Sequence, residues 1–182
     1  MAERANNTKS AFKGAGLRSV VDAVVAEIRT LYLEDGVPWV IGYSGGKDST
    51  AVAQLVWLAI TGLKPAQRTK PVYAISTDTL VENPIVSAWV RSSLGRMEEA
   101  ARSAGLPIQP RPLTPSITNT FWVNLIGRGY PAPRTKFRWC TERLKIDASN
   151  RFIRSVVQEN GEAVLVLGTR KAESSKIGRA HV

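Results

Sequence analysis

The stretch Pro-Trp-Val-Ile-Gly-Tyr-Ser-Gly-Gly-Lys-Asp-Ser-Thr, residues 38–50, decides the fold of this chain. Residues 39–41 form a short apolar run with β-branched side chains, which predicts a buried strand. A tight turn is predicted at residues 44–46, and the polar residues 48–50 are expected to cap an apolar helix over 51–60. Strand, glycine turn and helix N-terminus together favour phosphate binding, because backbone N–H groups and the helix dipole converge there.

The spacing within this stretch excludes a Walker A loop. A Walker A loop has a glycine five residues before its second glycine, followed by Lys and then Ser or Thr. Here Ile41 occupies the position of that first glycine, and Asp48 follows Lys47. An acidic side chain at this position can hold a magnesium ion that bridges phosphates, so Asp48 is a candidate magnesium ligand.

The composition predicts a single soluble globular domain. The chain has 182 residues, of which 43% are hydrophobic and 22% are charged. No apolar run approaches the length of a membrane span, and the N-terminus lacks the apolar core of a signal peptide. The single cysteine excludes an internal disulfide framework and fits a reducing compartment. We therefore expect a cytoplasmic protein without a membrane partner.

The net charge of +10 suggests a polyanionic partner. A nucleic acid is one such partner. Solubility, or a basic nucleotide pocket, would explain the same charge, and the composition does not choose between these explanations.

Helices and strands are predicted to alternate along the chain, which indicates an α/β fold with a doubly wound, mostly parallel sheet. Such sheets bind ligands at the carboxyl ends of their strands. We therefore expect the residues after positions 43, 77 and 167 to meet at one edge of the sheet. The other predicted elements are a helix over 17–32, a strand over 71–77, a helix over 84–104, an edge strand over 108–113, a helical segment over 116–126, a loop over 127–139, a helix over 146–158 and a strand over 163–167.

Two polar groups follow predicted strands and are candidates for this edge. Asp78 is either a magnesium ligand or a cap for the helix that follows. Arg170, after Gly168 and Thr169, is able to place a bidentate guanidinium on a phosphate as charge develops.

The segment 128–145 combines basic and aromatic residues on a loop rich in Pro and Gly. This combination suits a phosphodiester backbone with unstacked bases, and equally the phosphates of a small nucleotide. Cys140 lies within the segment, where nearby cations favour the thiolate. The cations are Arg128, Arg134, Lys136, Arg138, Arg143 and Lys145, and the aromatic residues are Tyr130, Phe137 and Trp139.

Several motifs resemble known families. Ser-Gly-Gly-Lys-Asp-Ser at 44–49 resembles the PP-loop of the ATP pyrophosphatase superfamily, whose members cleave ATP between the α- and β-phosphates. Asp78-Thr79 with Pro84, Trp-Cys-Thr-Glu-Arg-Leu-Lys at 139–145, and the Gly-x-Arg-x-x-Glu-Ser run from Gly168 resemble the phosphoadenosine-phosphosulfate (PAPS) reductase branch. Longer stretches at 42–57, 76–90, 120–146 and 164–175 resemble the DndC-type family of DNA phosphorothioation sulfurtransferases.

The resemblance implies the adenine-nucleotide alpha-hydrolase (PP-loop, Rossmann-like) fold and the hydrolysis of ATP to AMP and pyrophosphate. Sulfur would then replace a non-bridging oxygen of the DNA backbone. It also implies magnesium, a 4Fe-4S cluster, and three kinds of partner: DNA, a cysteine desulfurase and sister Dnd proteins.

Site residues follow from the matched motifs. Lys47, Asp48 and Arg170 would be catalytic, and Asp48 with Asp78 would hold magnesium. Cys140 would be either an iron–sulfur ligand or a sulfur carrier. The nucleotide-binding set is Ser44, Gly45, Gly46, Lys47, Asp48, Ser49, Asp78, Thr169 and Arg170, and the DNA-binding set is Arg134, Lys136, Arg138, Arg143 and Lys145.

The chain departs from this family in its cysteines, because a cubane cluster needs about four ligands and only Cys140 is present. We expect a C-terminally truncated fragment made of a mobile arm at 1–16, the PP-loop domain at 17–176 and an artefactual tail at 177–182. The tail, Ile-Gly-Arg-Ala-His-Val, is what a common sequencing adapter would encode.

Two alternative functions remain open at this stage. The first is a reductase of PAPS or adenylylsulfate, with Cys140 in the redox step. The second is a non-catalytic nucleic-acid-binding subunit that keeps a vestigial nucleotide pocket.

Overall fold

A computed structural model describes residues 16–135 and 137–169 of the chain. The expected arm at 1–16, apart from Gly16, and the expected tail at 177–182 lie outside the described residues. The helices are α1 (Gly16–Glu34), α2 (Lys47–Thr61), α3 (Pro84–Ser103) and α4 (Asp147–Asn160), and the strands are β1 (Trp39–Gly42), β2 (Val72–Thr77), β3 (Ile108–Leu113) and β4 (Val164–Val166).

The four strands form one parallel sheet in the order β3-β2-β1-β4. Trp39 of β1 is in register with Val72 of β2 on one side and with Val164 of β4 on the other. The predicted α/β class with a parallel sheet is therefore confirmed. β3 is an edge strand as predicted, a position that tolerates its two prolines because the outer side of the strand needs no ladder hydrogen bonds.

The main hydrophobic core lies between one face of the sheet and helices α1, α2 and α3. Alternate strand residues such as Trp39, Ile41 and Val72 point to this face and are almost fully buried. α4 covers the opposite face, where Phe152 packs edge-on against Tyr73 of β2. Helices therefore cover both faces of the sheet, as a doubly wound fold requires.

The helix α3 follows its predicted sequence signals closely. Asn83 is the N-cap, and its Oδ1 accepts a hydrogen bond from the Ile85 N–H at 2.9 Å. Pro84 occupies the first helical position, where its missing N–H costs nothing. The helix ends at Ser103, and Gly105, with φ +58°, turns the chain towards β3.

Two local predictions were wrong in detail. α2 begins at Lys47 with Gly46 as its N-cap, so residues 48–50 lie inside the first turn and do not cap it. The segment 116–126 is not one regular helix: it forms a 3₁₀ turn at Ile117–Asn119 and a π-helix at Val123–Gly127. A second π-helix, Thr141–Ile146, leads directly into α4. The backbone hydrogen bonds join residues three apart in a 3₁₀ turn and five apart in a π-helix. The spacing of apolar residues in the sequence does not indicate which of these patterns a segment adopts.

The order of the strands creates a switch point between β1 and β4. The chain proceeds from β1 outward through β2 to β3, and then returns to the other side of β1 as β4. Ligands of open α/β sheets bind at the carboxyl ends of the strands beside such a point. The stretch 43–49 lies at this position. No helix within the described ranges is both long enough and apolar enough to cross a bilayer.

Candidate functional site

The loop between β1 and α2 is held by its own serines. The Ser49 hydroxyl donates to the Gly46 carbonyl at 3.0 Å and accepts from the Ser44 N–H at 3.2 Å. The two hydroxyl oxygens, of Ser44 and Ser49, lie 3.1 Å apart. Gly45, with φ +74°, occupies the left-handed region that glycine enters without strain. The loop therefore owes its shape to side chains that leave no bulk above it.

The first turn of α2 begins without a side-chain cap. Gly46 makes no side-chain capping hydrogen bond, and the first backbone bond closed at this end runs from the Thr50 N–H to the Gly46 carbonyl. The N–H groups of a first helical turn have no acceptor within the helix. An anion at this position would satisfy them and would also interact favourably with the helix dipole.

Two neighbours approach the loop closely. A side chain at Gly45 would collide with the ring of Trp89, which lies on α3. A Cβ at Gly168, just after β4, would lie 2.8 Å from the backbone oxygen of Asp48. Glycine at both positions therefore lets α3 and the end of β4 close around the loop.

A cavity of about 710 Å³ opens beside this loop at the carboxyl edge of the sheet. Its volume is within the range typical of sites for small molecules and cofactors. The ends of β1, β2 and β4 meet at it, as expected for the residues after 43, 77 and 167. Five of the predicted site residues line it: Ser44, Ser49, Asp78, Lys145 and Thr169.

The other predicted loop residues lie nearby. Gly45, Gly46, Lys47 and Asp48 belong to the same turn or to the first turn of α2, although among the described residues they are not part of the cavity lining. Lys47 is exposed, as expected of a lysine at this turn. Arg170 lies outside the described residues, so its predicted role has no geometry here.

Asp78 has a structural role at the edge of the cavity. Its Oδ1 accepts a hydrogen bond from the Leu80 N–H at 2.9 Å, and its Oδ2 lies 3.6 Å from Arg91. Leu80 has a φ of +64°, which is unusual for a side chain branched beyond Cβ, and the Asp78 carboxylate stabilises this turn. Asp78 therefore shapes this turn and lines the cavity. The alternative expectation, that Asp78 caps the following helix, is wrong, because the cap of α3 is Asn83.

The donor set suits magnesium bound together with phosphates. Within the ranges 16–135 and 137–169, no group of three or more His, Cys, Asp or Glu side chains is arranged to hold a metal. Magnesium commonly uses only one or two carboxylates and takes its remaining ligands from phosphates and water. Asp48 and Asp78 are the two carboxylates predicted from the sequence for such a site, and Asp78 lines the cavity.

The aromatic residues of segment 128–145 differ in their burial. The Trp139 ring is buried, stacks on Phe121 with centroids 5.4 Å apart, and meets Tyr130 edge-on. Its indole N–H donates to the Pro131 carbonyl at 3.0 Å. Phe137 is half-exposed and is the aromatic residue of this segment that remains accessible to a base. Trp139 is internal, contrary to the expectation that it would be presented to a ligand, whereas Tyr130 is only partly buried.

The cations predicted to bind DNA divide into three groups. Arg134 and Arg138 are exposed on a tight turn closed by the Arg134–Phe137 bridge. Lys145 lines the cavity and forms a 3.0 Å ion pair with Glu82. Arg143 is held against Tyr130, to whose hydroxyl it donates at 2.8 Å. Lys136 lies outside the described residues.

Cys140 does not belong to a cluster site within the described chain. It is partly buried next to Trp139, and no other cysteine occurs in the sequence. A 4Fe-4S cluster held by this chain alone would lack most of its ligands. The residues present therefore do not fit a cluster bound by this chain on its own.

Part of the cavity wall was not predicted from the sequence. Ile146, Ser149, Asn150 and Ile153, at the start of α4, all line the cavity. Their spacing places them on one face of a helix, and this could have been noticed in the sequence. This spacing alone would have predicted a helix face that packs in the hydrophobic core, and not the wall of a cavity.

Comparisons with known proteins find a likeness among solved structures. No protein-family model and no curated protein matches the chain. Among solved structures, the chain resembles the U34-tRNA thiolase NcsA from Methanococcus maripaludis, determined with its 4Fe-4S cluster. The TM-score is 0.50 and the identity is 13%, and the likeness covers 84% of this chain and 46% of that one. A likeness at this identity shows the fold alone, and the chain thus shares the α/β fold of that thiolase.

Proposed function

We propose that this chain is an ATP pyrophosphatase that acts as the sulfurtransferase component of DNA backbone phosphorothioation, as in DndC-type proteins. One observation carries the proposal. The Ser-Gly-Gly-Lys-Asp-Ser loop lies at the carboxyl end of β1, beside the switch point of the sheet, and opens on a cavity of about 710 Å³.

The loop supports the nucleotide half of the proposal. Ser44, Gly45, Gly46 and Ser49 would bind the phosphates of ATP, with the first turn of α2 behind them. Lys47, exposed at this turn, and Arg170 would stabilise the charge that develops on the leaving pyrophosphate. Asp48, with Asp78, would hold the magnesium ion.

The proposed reaction has two displacements. In the first, a non-bridging oxygen of a DNA phosphodiester attacks the α-phosphorus of ATP, and magnesium pyrophosphate leaves. In the second, sulfur attacks the activated DNA phosphorus, and AMP leaves with the original oxygen. The sulfur would come as a persulfide from a cysteine desulfurase, and an external dithiol would reduce it to the sulfide level. The two carboxylates on the described cavity wall, Asp78 and Glu82, are paired with Arg91 and Lys145, so positioning and charge stabilisation would carry both steps.

Sulfur transfer is supported by analogy at the level of the fold. The structural neighbour is a thiolase that acts on U34 of tRNA, and the present chain spans 46% of its length. A shared fold does not fix the acceptor, so DNA rests on the resemblance of the longer sequence stretches. RNA is the competing acceptor, and the assay of activity therefore includes it.

Partners follow from the same proposal. DNA, a cysteine desulfurase and sister Dnd proteins would assemble with the chain in the cytoplasm. Cys140 would act as a sulfur carrier, or as one ligand of a cluster completed by residues other than those described. The single cysteine favours the carrier role for this chain, because a carrier needs one thiol and a cluster needs about four ligands.

The test is pyrophosphate release from ATP and magnesium, measured alone, with a DNA duplex and with tRNA. We expect pyrophosphate release in the presence of DNA. The Lys47→Ala variant should lose this release and keep its fold, because Lys47 is exposed. Lys64→Ala, which removes an exposed lysine after the end of α2, is the matched control and should keep full turnover. Normal pyrophosphate release by Lys47→Ala would contradict the assignment of the loop to ATP.

Other outcomes select the alternatives. Turnover of PAPS or adenylylsulfate, with none of ATP, would make the protein a reductase. DNA binding without any pyrophosphate would indicate a binding subunit with a vestigial nucleotide pocket. Pyrophosphate that depends on tRNA and not on DNA would replace DNA with RNA as the acceptor.

A further inference from the structure

A second cleft lies on the surface where the 3₁₀ turn Ile117–Asn119 meets the start of α4. Its volume is about 180 Å³, roughly that of six water molecules at about 30 Å³ each. This is large enough for one tetrahedral oxyanion and its nearest waters. Polar side chains dominate the lining: Asn119, Arg143, Asp147, Asn150, Arg151 and Arg154.

Two of the three guanidinium groups of the cleft are held by hydrogen bonds, and none of the three is neutralised by a carboxylate of the described chain. Arg143 is held by the Tyr130 hydroxyl, and Arg151 donates to the Thr114 carbonyl at 2.9 Å. Arg154 is exposed and makes no hydrogen bond or ion pair within the described ranges. None of the three forms a salt bridge with a carboxylate of the described chain.

The one carboxylate in the cleft is already engaged. Asp147 accepts a hydrogen bond from the Asn119 side-chain amide at 3.2 Å. Asn119 in turn accepts from Arg128 and, at 3.5 Å, from Arg143. Three guanidiniums against one carboxylate leave the cleft positive. A positioned guanidinium binds phosphate better than a mobile cation, because its donors are fixed in a planar fork.

The cleft is next to the main cavity. Asn150 lines both, since it lies on the first turns of α4 between the two. A linear polyanion that enters the main cavity past α4 would therefore lie over the cleft. The sequence places Asp147, Asn150, Arg151 and Arg154 on one helical face, at positions i, i+3, i+4 and i+7.

We propose that this arginine cleft binds a backbone phosphate of the nucleic-acid acceptor, next to the nucleotide that reacts in the main cavity. The inference rests on the proposed function for the identity of the acceptor. It adds Arg151 and Arg154 to the binding surface, and it assigns Arg143 to a phosphate contact made while the side chain is braced by Tyr130.

The test is the binding of a fluorescent DNA oligonucleotide to the full chain across a range of salt concentrations. We expect Arg154→Gln to reduce the slope of log K against log salt by about 0.7–0.9, the value for one phosphate that is no longer neutralised. Arg154→Lys, which keeps the charge but lacks the fork, should bind more weakly than wild type while it keeps most of the slope. Arg96→Gln removes an exposed arginine of α3 and should change neither quantity.

The controls separate the sources of phosphate. Inorganic phosphate and pyrophosphate are titrated as competitors of the oligonucleotide against wild type and Arg154→Gln. Loss of pyrophosphate binding in the variant, with oligonucleotide binding intact, would show a site for a small free anion and overturn the proposal. An Arg154→Gln slope equal to that of wild type would also overturn it.

The same experiment distinguishes this inference from the proposed function. Pyrophosphate release from ATP is measured on the same samples. An Arg154-dependent salt slope without pyrophosphate release would support phosphate binding by the cleft and contradict the proposed activity. Normal pyrophosphate release with no effect of Arg154→Gln on DNA binding would keep the activity and remove the cleft.

Discussion

At Gly168, the end of β4 closely approaches the start of α2. A Cβ at this residue would lie 2.8 Å from the Asp48 backbone oxygen and 3.2 Å from the Ser49 nitrogen. Backbone atoms cannot rotate away as a flexible side chain can. We expect Gly168→Ala to lower the free energy of unfolding by about 1–3 kcal/mol through overpacking, as measured by urea denaturation.

The matched control for this change is Gly95→Ala in the exposed middle of α3. Nothing lies within 4 Å of a Cβ built at Gly95. Alanine should therefore stabilise α3 by about 0.5–1 kcal/mol, because glycine loses more backbone entropy in a helix. If both variants changed stability in the same direction and by similar amounts, the close approach at Gly168 would have no energetic weight.

Lys70 is a fully buried cation with one charged partner. Its Nζ lies 2.6 Å from the Asp35 carboxylate and about 5 Å from the rings of Tyr32 and Trp39. Asp35 is exposed, whereas the Lys70 side chain is 1% exposed. Removal of Asp35 leaves a cation buried without a counterion, whereas Lys70→Met leaves a carboxylate that water can solvate. We expect Asp35→Ala to lower the urea midpoint more than Lys70→Met, and the reverse order would contradict this interpretation.

The same pair predicts an acid dependence of stability. The hydrogen bond from Lys70, assisted by the Val37 N–H, lowers the pKa of Asp35 below its ordinary 3.8. A lowered pKa in the folded state contributes stability above the unfolded-state value, and this contribution is lost as the pH falls through the folded-state pKa. Between neutral pH and about pH 3, the unfolding free energy of wild type should therefore fall more than that of Asp35→Ala. Equal falls would show that the pair does not contribute.

At the scale of elements, the described part of segment 121–146 packs around the ring of Trp139, which Phe121 and Tyr130 contact. Trp139 is 6% exposed and Phe137 is 47% exposed, although only one residue separates them. We expect Trp139→Ala to cost about 3–5 kcal/mol, as for other buried aromatic residues, and Phe137→Ala to cost within about 0.5 kcal/mol. Thermal unfolding of the two variants measures the difference, and a mild Trp139→Ala would mean that the segment packs loosely.

The elements that could be predicted from the sequence are those specified by local signals. The Trp39–Gly42 strand, the Asn83 cap with Pro84, and the edge position of β3 all depend on neighbours in the chain. The start of α2 could not be predicted, because Ser49 makes its hydrogen bonds back into the loop and so does not cap the helix. The burial of Trp139 depends on Phe121, eighteen positions away, and no local pattern encodes such a contact.

The candidate site was predictable to the same extent. Parallel strands bring their carboxyl ends together whatever the side chains are, so the meeting of the residues after β1, β2 and β4 followed from topology. The sequence did not indicate which cations of 128–145 would be held by other side chains in the structure. Arg143 is braced by Tyr130 and Lys145 is paired with Glu82, and both contacts join parts of the chain that are distant in sequence.

At the scale of the whole molecule, the position of the positive charge matters more than its total of +10. Exposed cations at the Arg134–Phe137 turn, and those of the arginine cleft, would contact a polyanion at two places. A general excess of charge would instead attract any polyanion, wherever the cations lie. Salt dependence separates these two cases, because each phosphate contact releases counterions.

The cations Arg134, Lys136 and Arg138 allow this difference to be measured. Replacing all three with Gln should weaken DNA binding and reduce the salt slope by up to about 0.7–0.9 for each phosphate that is no longer neutralised. The control is the triple Gln variant of Arg18, Arg96 and Arg102, which removes the same charge from exposed positions on α1 and α3. An unchanged slope in the first variant would assign its cations to the nucleotide phosphates. Equal reductions of the salt slope in both variants would show that DNA binding depends on the net charge and not on where the cations lie.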